Sequence, residues 1–177
     1  MPQNIIDTDF WIIIENARQA AGNNINWRIP ALRVQLDQLS LAQIQAFDDE
    51  FSKYMVQAYR WDLWGAAYLM NCGCGDDGFT DFRYWLISEG KCNFDKFLTD
   101  PDLMADLPYQ IDFKFSLEFF GYQVSDALEV KGWELNHNCN NTLLGPIGIK
   151  WENNQLSSLY PRLAKKYKKN IDFIMSR

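Results

Sequence analysis

The amino-acid sequence predicts a mainly α-helical protein that forms one compact domain over residues 1–177. In several segments, apolar side chains recur at alternating steps of three and four residues, the spacing that repeats one face of an α-helix. Most of these segments end at Gly, Asn or Pro, which terminate helices. Seven Trp, eight Tyr and twelve Phe predict a core of aromatic rather than aliphatic side chains.

Two helices are predicted before the centre of the chain. The first starts at a cap formed by Asp7 or Thr8 and ends near Ala21. The second begins near Pro30, because proline is favoured in the first turn of a helix, and it ends before Ser40.

The longest pattern covers residues 40–71. Ser40 and Gln43 have the spacing of a capping box, and Asn71 with the glycines after it marks the end. One face is shared by Ile44, Phe47, Phe51, Tyr54, Ala58, Trp61, Gly65 and Tyr68. We therefore expect a single long central helix, which at about 30 residues would measure about 45 Å, with the other segments packed against it.

Further helices are expected over residues 76–90, 94–98, 103–107 and 112–128, and a C-terminal helix starts at Pro161. Residues 132–151 differ, because Asn, Gly and Pro supply turn chemistry there. We expect an irregular or short β segment in this part of the chain.

The charge of the protein is unevenly distributed. The net charge is −6, but residues 162–177 carry six basic side chains against Asp172 alone, so this tail carries +5 and residues 1–161 carry −11. An acidic body repels nucleic acid and attracts a basic protein partner, although the same charge also serves solubility. The basic tail is either an exposed helix end, favoured by the helix dipole, or a contact for a small anionic ligand.

The N-terminal residues lack the positively charged and apolar regions of a signal peptide. The longest purely apolar run is the five residues Phe10–Ile14, far short of the roughly 20 that a membrane span requires. We therefore expect a cytoplasmic protein, with its four cysteines in a reducing compartment and no contact with a membrane.

Seven residues make up the predicted binding site: Arg60, Trp61, Asp62, Trp64, Asp76, Asp77 and Arg83. On one helix Arg60 would stack on Trp64, and Asp62 is a candidate partner for Arg83 or a candidate cap for the following segment. In a structural interpretation, these groups are a buried ion pair among rings that fixes the helix register. In a functional interpretation, the two arginines and three aspartates line a cleft, where a guanidinium binds a carboxylate or phosphate and an aspartate acts as a base.

No metal or cofactor is expected. Cys72, Cys74 and Cys92, with His137 and Cys139, offer soft ligands, but their spacing matches no zinc module. Cys74 could act as a thiol nucleophile with the only histidine, His137, as its base, but nothing in the sequence brings them together. No phosphate-cradling glycine motif is present.

The sequence of residues 58–68, AYRWDLWGAAY, is followed by Asn71, Gly73, Cys74 and the run DDGF at 76–79. With Phe82-Arg83 and the run WLI at 85–87, these residues resemble the domain of unknown function family 4240. Weaker similarity continues through DPDL at 100–103, ADLP at 105–108 and YPRLA at 160–164. The chain departs from the family pattern at Cys72, where glycine is expected, at Gly75, where serine is expected, and over residues 133–149.

The resemblance implies a compact, mainly helical bacterial domain, which some family members combine with a Trp-Gly-Arg module of the kind found in ADP-ribose polymerases. It implies no established activity. Because no complete catalytic set is present, we expect a protein-interaction module rather than an enzyme, specifically an immunity or antitoxin protein that neutralises a basic toxin. The alternative is an enzyme or small-ligand sensor that uses the cleft lined by Arg60, Asp62, Asp76, Asp77 and Arg83.

Overall fold

The structure is a computed structural model that describes residues 7–109, 113–133 and 145–176. Its α-helices are α1 Asp7–Ala21, α2 Arg28–Asp37, α3 Leu41–Gln57, α4 Trp61–Met70, α5 Asp76–Ser88, α6 Lys91–Thr99, α7 Tyr122–Val130, α8 Leu156–Leu159, α9 Pro161–Lys166 and α10 Lys168–Met175. Short 3-10 helices cover Ile25–Trp27, Pro101–Asp106 and Asn153–Gln155. The mainly helical prediction is confirmed, and the described ranges contain no β-strand.

Several helix boundaries follow the local sequence signals. α1 ends at Ala21 as predicted, and Ser40 forms the predicted capping box, with Gln43 Oε1 accepting from the Ser40 N–H at 2.9 Å. The segment predicted as a helix at 103–107 is a 3-10 helix, which Asp100 caps by accepting from the Asp102 N–H at 3.0 Å. The C-terminal helix begins at Pro161 but is divided into α9 and α10 at Tyr167.

The prediction of one helix over residues 40–71 is wrong, because α3 ends at Gln57 and α4 begins at Trp61. Between them, Arg60 has an extended backbone, with φ −136° and ψ 144°. Ile147 pairs with this extended turn through its backbone. Its N–H donates to the Tyr59 carbonyl at 2.9 Å, and its carbonyl accepts from the Trp61 N–H at 2.9 Å. These two bonds satisfy groups that a continuous helix would have satisfied itself.

The predicted helix over 112–128 is also shorter than expected, because α7 begins only at Tyr122. Before it, the backbone of Phe115 pairs with the side-chain amide of Asn71, donating at 3.0 Å and accepting at 3.2 Å. The Leu117 N–H donates to the Asp81 carbonyl at 3.2 Å. The apolar spacing there reflects burial of Phe115, Leu117 and Phe120 in a non-helical segment rather than a helix face.

The irregular or short β segment predicted near 132–151 is described only in part, since residues 134–144 lie outside the described ranges. Over residues 145–151 the backbone is irregular, and its one bridge is the parallel pairing of Ile147 with Arg60.

Aromatic rings form much of the core. Phe10 and Trp11 of α1 pack on Tyr54 of α3 at centroid distances of 5.0 and 4.6 Å, and Trp11 also contacts Phe94 of α6 at 5.3 Å. These contacts bring the first, third and sixth helices together. Among the described residues, no helix combines the length and apolar content needed to span a membrane.

α4 passes through the core, and Gly65 is its point of closest approach to the C-terminal region. A Cβ at Gly65 would lie 2.5 Å from the Tyr160 hydroxyl and 2.7 Å from the Trp151 ring. Tyr160 uses this space to donate its hydroxyl to the Asp62 carbonyl at 2.7 Å, and Trp151 packs on Tyr68 at 4.7 Å. The absence of a side chain at Gly65 therefore lets the end of the chain pack onto α4.

We expect Gly65→Ala to lower the free energy of unfolding by about 1–3 kcal/mol, because the added methyl displaces two packed rings. Chemical denaturation measures this change. Gly78→Ala is the matched control, since its Cβ would meet only Cys74 Sγ at an ordinary 3.5 Å; it should be neutral or stabilising by up to about 1 kcal/mol. Equal stability of the two variants would contradict the close approach.

Candidate functional site

Arg60 and Asp62 of the predicted site form a local ion pair at the start of α4. The Arg60 Nε donates to Asp62 Oδ1 at 3.0 Å, and Nη2 donates to Oδ2. Asp62 Oδ1 also accepts from the Leu63 N–H at 2.8 Å. Both charged side chains are about one-third exposed, at 32% and 39%, so the pair contributes little to stability but directs the guanidinium fork toward Asp62.

Trp61 and Trp64 belong to a stack of rings. Trp64 lies parallel to Trp61 at 5.1 Å and to Phe79 at 4.7 Å, with an interplanar angle of 10° in each case. The Lys150 ammonium lies 5.3 Å from the Trp61 ring, and the Arg83 guanidinium lies 5.3 Å from the Phe79 ring. The stack therefore has a cation at each end, and the predicted stacking of Arg60 on Trp64 is replaced by these contacts.

Arg83 is largely enclosed. Its Nη1 donates to the Met55 carbonyl at 2.9 Å, its Nη2 donates to Thr80 Oγ1 at 3.0 Å, and its guanidinium lies 4.7 Å from the Tyr59 ring. Burial lowers the pKa of the Arg83 guanidinium. Among the described residues no carboxylate pairs with it, so the predicted Asp62–Arg83 pair is not formed.

Asp76 and Asp77 lie in the exposed first turn of α5, after Gly75. Burial, followed by the charges of Glu118 and Asp77, raises the pKa of the Asp81 carboxyl, while a hydrogen bond from Ser116 opposes the shift. The charges of Asp77 and of two carboxylates that were not in the predicted site, Asp81 and Glu118, thus influence one another. Among the described residues, no hydrogen bond or ion pair joins Asp76 or Asp77 to Arg60 or Arg83.

Two exposed aromatic side chains lie in the turn that carries Glu118: Phe119 directly follows it, and the charges of Tyr122 and Asp81 both act on Tyr84. Phe119 and Tyr122 are 57% and 52% exposed, and their ring centroids are 6.2 Å apart. Their turn is held against α5, because Gly121 lies so close to Tyr84 that a Cβ would be 2.4 Å from the ring carbon Cζ. We define the acidic–aromatic face as Asp76, Asp77, Asp81, Glu118, Phe119 and Tyr122.

Sequence reasoning missed four of these six residues. Phe119 does not fit the three-and-four spacing that marks Phe120 and Val124 as core positions, and this mismatch was the available signal of its exposure. The proximity of Glu118 to Asp81 depends on a tertiary contact and has no local signature.

A family model described as "Protein of unknown function (DUF4240)" matches residues 6–129. The chain belongs to this family. The matched range includes all seven residues of the predicted site and the whole acidic–aromatic face, but not the basic tail. Searches of curated proteins and of solved structures find no match. Membership of DUF4240 therefore identifies the domain without assigning it an activity.

Among the described residues of this DUF4240 member, the most deeply buried ion pair is Arg28–Glu89, whose side chains are 6% and 4% exposed. Arg28 Nη1 lies 2.6 Å from Glu89 Oε1 and donates to Ser88 Oγ at 3.0 Å, while the Tyr109 hydroxyl donates to the same Glu89 oxygen at 2.6 Å. Burial and the Glu89 charge raise the pKa of Tyr109 to about 12. No sequence pattern indicated this cluster, since its charged members are 61 residues apart.

We expect Glu89→Gln to lower the free energy of unfolding by about 3–5 kcal/mol, because it leaves the buried Arg28 charge uncompensated. Denaturant titration would measure the change. Asp37→Asn is the control, since it breaks the more exposed Arg33–Asp37 pair and should cost less than about 0.5 kcal/mol. A loss no larger than that of the control would show that the buried pair does not stabilise the fold.

The reactivity of three cysteines of this DUF4240 member can be compared directly, because Cys72, Cys74 and Cys92 are all free thiols. Burial, with smaller contributions from the charges of Asp81 and Asp76, raises the pKa of Cys74 to about 12. Among the described residues no three His, Cys, Asp or Glu side chains are grouped as a metal site requires. His137 and Cys139, the other two soft ligands considered from the sequence, lie outside the described residues.

Iodoacetamide at pH 8 should label the exposed Cys92 readily and Cys74 very slowly, since a thiol with a pKa near 12 is only about one part in 10,000 thiolate at that pH. Peptide mass spectrometry after brief exposure would measure the two labelling rates. Denaturant should bring Cys74 to the rate of Cys92. If Cys74 reacted as fast as Cys92 in the folded protein, it would have to be reconsidered as a nucleophile.

Proposed function

We propose that this chain is a protein-interaction module that binds a basic protein through the acidic–aromatic face. The observation that carries the proposal is the exposed Phe119–Tyr122 pair, which follows Glu118 in the chain and shares with Asp81 an electrostatic influence on Tyr84. Phe and Tyr provide large contact areas at protein interfaces. Contiguous exposed aromatic rings are also uncommon on a protein surface that has no partner.

The charge of the face supports the choice of partner. Asp76, Asp77 and Glu118 are exposed, and Asp81 is half-buried among them. The charges of Glu118 and Asp77 both raise the pKa of the Asp81 carboxyl, which indicates that the three negative charges are close together. A basic partner would relieve their repulsion and would be attracted from a distance before the aromatic contacts form.

The specific role that we propose is that of an immunity or antitoxin protein in the bacterial cytoplasm. Such a protein neutralises a toxin by covering its functional surface, and toxins that act on nucleic acid are commonly basic. The −11 charge of residues 1–161 supports a basic partner. In this role the module needs no catalytic residues of its own.

The geometry gives less support to the alternative, an enzyme or small-ligand sensor with a cleft lined by the two arginines and three aspartates. The Arg60 fork is engaged by Asp62, and the Arg83 guanidinium by the Met55 carbonyl and Thr80. A ligand at either guanidinium would have to displace these partners. The exposed face requires no such rearrangement.

Affinity purification from the native host, followed by calorimetric titration of the recovered partner, tests the proposal. The wild-type chain should recover a basic protein in stoichiometric amount. Phe119→Ala with Tyr122→Ala should weaken its binding by at least about tenfold, because an interface anchor contributes roughly 1–2 kcal/mol or more. Trp27→Ala is the matched control, since it removes an exposed aromatic ring on another element.

Charge reversal provides an independent arm of the same experiment. Asp77→Lys with Glu118→Lys should slow association and reduce its salt dependence, whereas Asp172→Lys on α10 should change association less. The proposal is rejected if no stoichiometric partner is recovered, or if the partner binds the Phe119/Tyr122 double variant as tightly as it binds the wild type.

A further inference from the structure

A basic cavity lies where α9 packs on the 3-10 helix Pro101–Asp106. Its volume is about 430 Å³, and it is lined by Ala105, Arg162, Lys165 and Lys166. This volume is within the range of about 300–1,000 Å³ typical of small-molecule sites. None of these residues belongs to the acidic–aromatic face, and the three cations lie outside the part of the chain that matches the family.

Two of the three cations are held in place by the protein. The Arg162 guanidinium pairs with Asp106, which also accepts from Lys96 Nζ at 3.4 Å. Lys166 Nζ donates to the carbonyls of Ala105 and Leu107 at 3.0 and 2.5 Å. These bonds orient the side chains before any ligand arrives, which reduces the entropy lost on binding. They still leave donors for a ligand, because Arg162 is bonded through Nη2 alone and Lys166 through two of its three N–H groups, whereas the Arg60 fork is engaged through two nitrogens.

The backbone beneath the cavity is equally well fixed. The Asp102 carboxylate is buried and accepts from the N–H groups of Arg162 and Leu163 at 3.0 and 2.8 Å, at the first turn of α9. A carboxylate at this point satisfies two N–H groups that the helix leaves unpaired. The start of α9, the helix that carries the basic side chains, is thereby attached to the 3-10 helix Pro101–Asp106.

The positive charges at the cavity exceed the negative ones, even with the buried Asp102 carboxylate included, which accepts from backbone N–H groups rather than from a cation. Arg162 and Lys96 share the single carboxylate of Asp106, and Lys166 is hydrogen-bonded only to neutral carbonyls. Lys165 is exposed and, within the ranges that the structure describes, has no ion-pair partner. Burial lowers the pKa of the Lys166 ammonium, the direction expected where opposite charge does not fully compensate it.

We propose that this cavity binds a phosphate-bearing small molecule through a di- or triphosphate group. Arginine and lysine are the side chains that recognise phosphate, the first by its guanidinium fork and the second as a point charge. One carboxylate shared among several cations favours a multivalent anion over a single carboxylate. The protein as a whole has a net charge of −6, so this local excess of positive charge contrasts with the rest of its surface.

Calorimetric titration of the full chain at low ionic strength tests the proposal, with sodium pyrophosphate as one probe and ATP as the other. Binding should be saturable with one site per chain. Lys165→Gln should weaken it by about tenfold, which corresponds to about 1.4 kcal/mol, and Arg162→Gln should weaken it by at least as much. Lys165 makes no described contact within the fold, so its variant should unfold at the wild-type temperature.

Lys169→Gln is the matched control, because it removes the same charge from the same tail but lies on α10 and does not line the cavity. Its affinity should stay within about twofold of the wild type if the anion is bound in the cavity. Saturable binding of pyrophosphate supports a site for the phosphate chain itself. Saturable binding of ATP alone supports the same site, with added contacts from the nucleoside.

Two results would overturn the proposal. One is the absence of saturable binding for both probes. The other is an equal loss of affinity in the Lys165 and Lys169 variants, which would show diffuse attraction to the tail rather than recognition in the cavity.

Discussion

The backbone of Ile147 exchanges two hydrogen bonds with the chain between α3 and α4, and the arrangement of the central helices depends on this exchange. It holds Arg60 in an extended conformation, which ends one helix and gives the next a new direction. Trp61 and Trp64 can then reach Phe79 on α5, and α4 is buried under the C-terminal region. A straight helix through this point would be about 45 Å long, slightly more than the diameter of about 40 Å expected for a compact domain of this size.

Contacts between distant segments also satisfy helix ends elsewhere in the structure. Each helix leaves backbone N–H groups at its start and carbonyl groups at its end without partners inside the helix, so a fold of many short helices has many such groups. Distant side chains satisfy several of them. Asp102 accepts from the first N–H groups of α9, Lys166 donates to carbonyls at the end of the 3-10 helix Pro101–Asp106, and Asn170 donates to the carbonyls of Leu69 and Met70 at the end of α4. Each of these bonds joins segments at least 59 residues apart. The ends of these helices therefore depend on tertiary contacts.

This explains what the sequence could predict. Signals that are local, such as the capping box at Ser40 and the end of α1, were read correctly, and so was the helical class. The sequence does not predict the break after Gln57, because Ala58 and Trp61 continue the helical spacing. The residue that pairs with the broken segment, Ile147, is 87 residues from Arg60 in the sequence. Arg60 and Asp62 are near neighbours in sequence and could be singled out, whereas the Arg28–Glu89 pair could not. At Cys72, where the family pattern led us to expect glycine, the backbone has a left-handed φ of 57°, the conformation that glycine adopts most easily.

The charged side chains of α5 are separated by sign: its arginine is enclosed by the protein, and its aspartates are on the outer side. This separation is relevant to the proposed interaction. Its one arginine, Arg83, is turned inward, where ring faces and the Met55 carbonyl take the place of a carboxylate. Asp76, Asp77 and Asp81 remain toward solvent, and Glu118 is added to them by the turn before α7. Among the described residues no carboxylate of α5 pairs with Arg83, so the helix does not neutralise its own acidic side chains. Because the Arg83 charge is instead enclosed by rings, these carboxylates stay available to the partner that we propose, and Phe119 and Tyr122 would provide the contact area that charge alone does not supply.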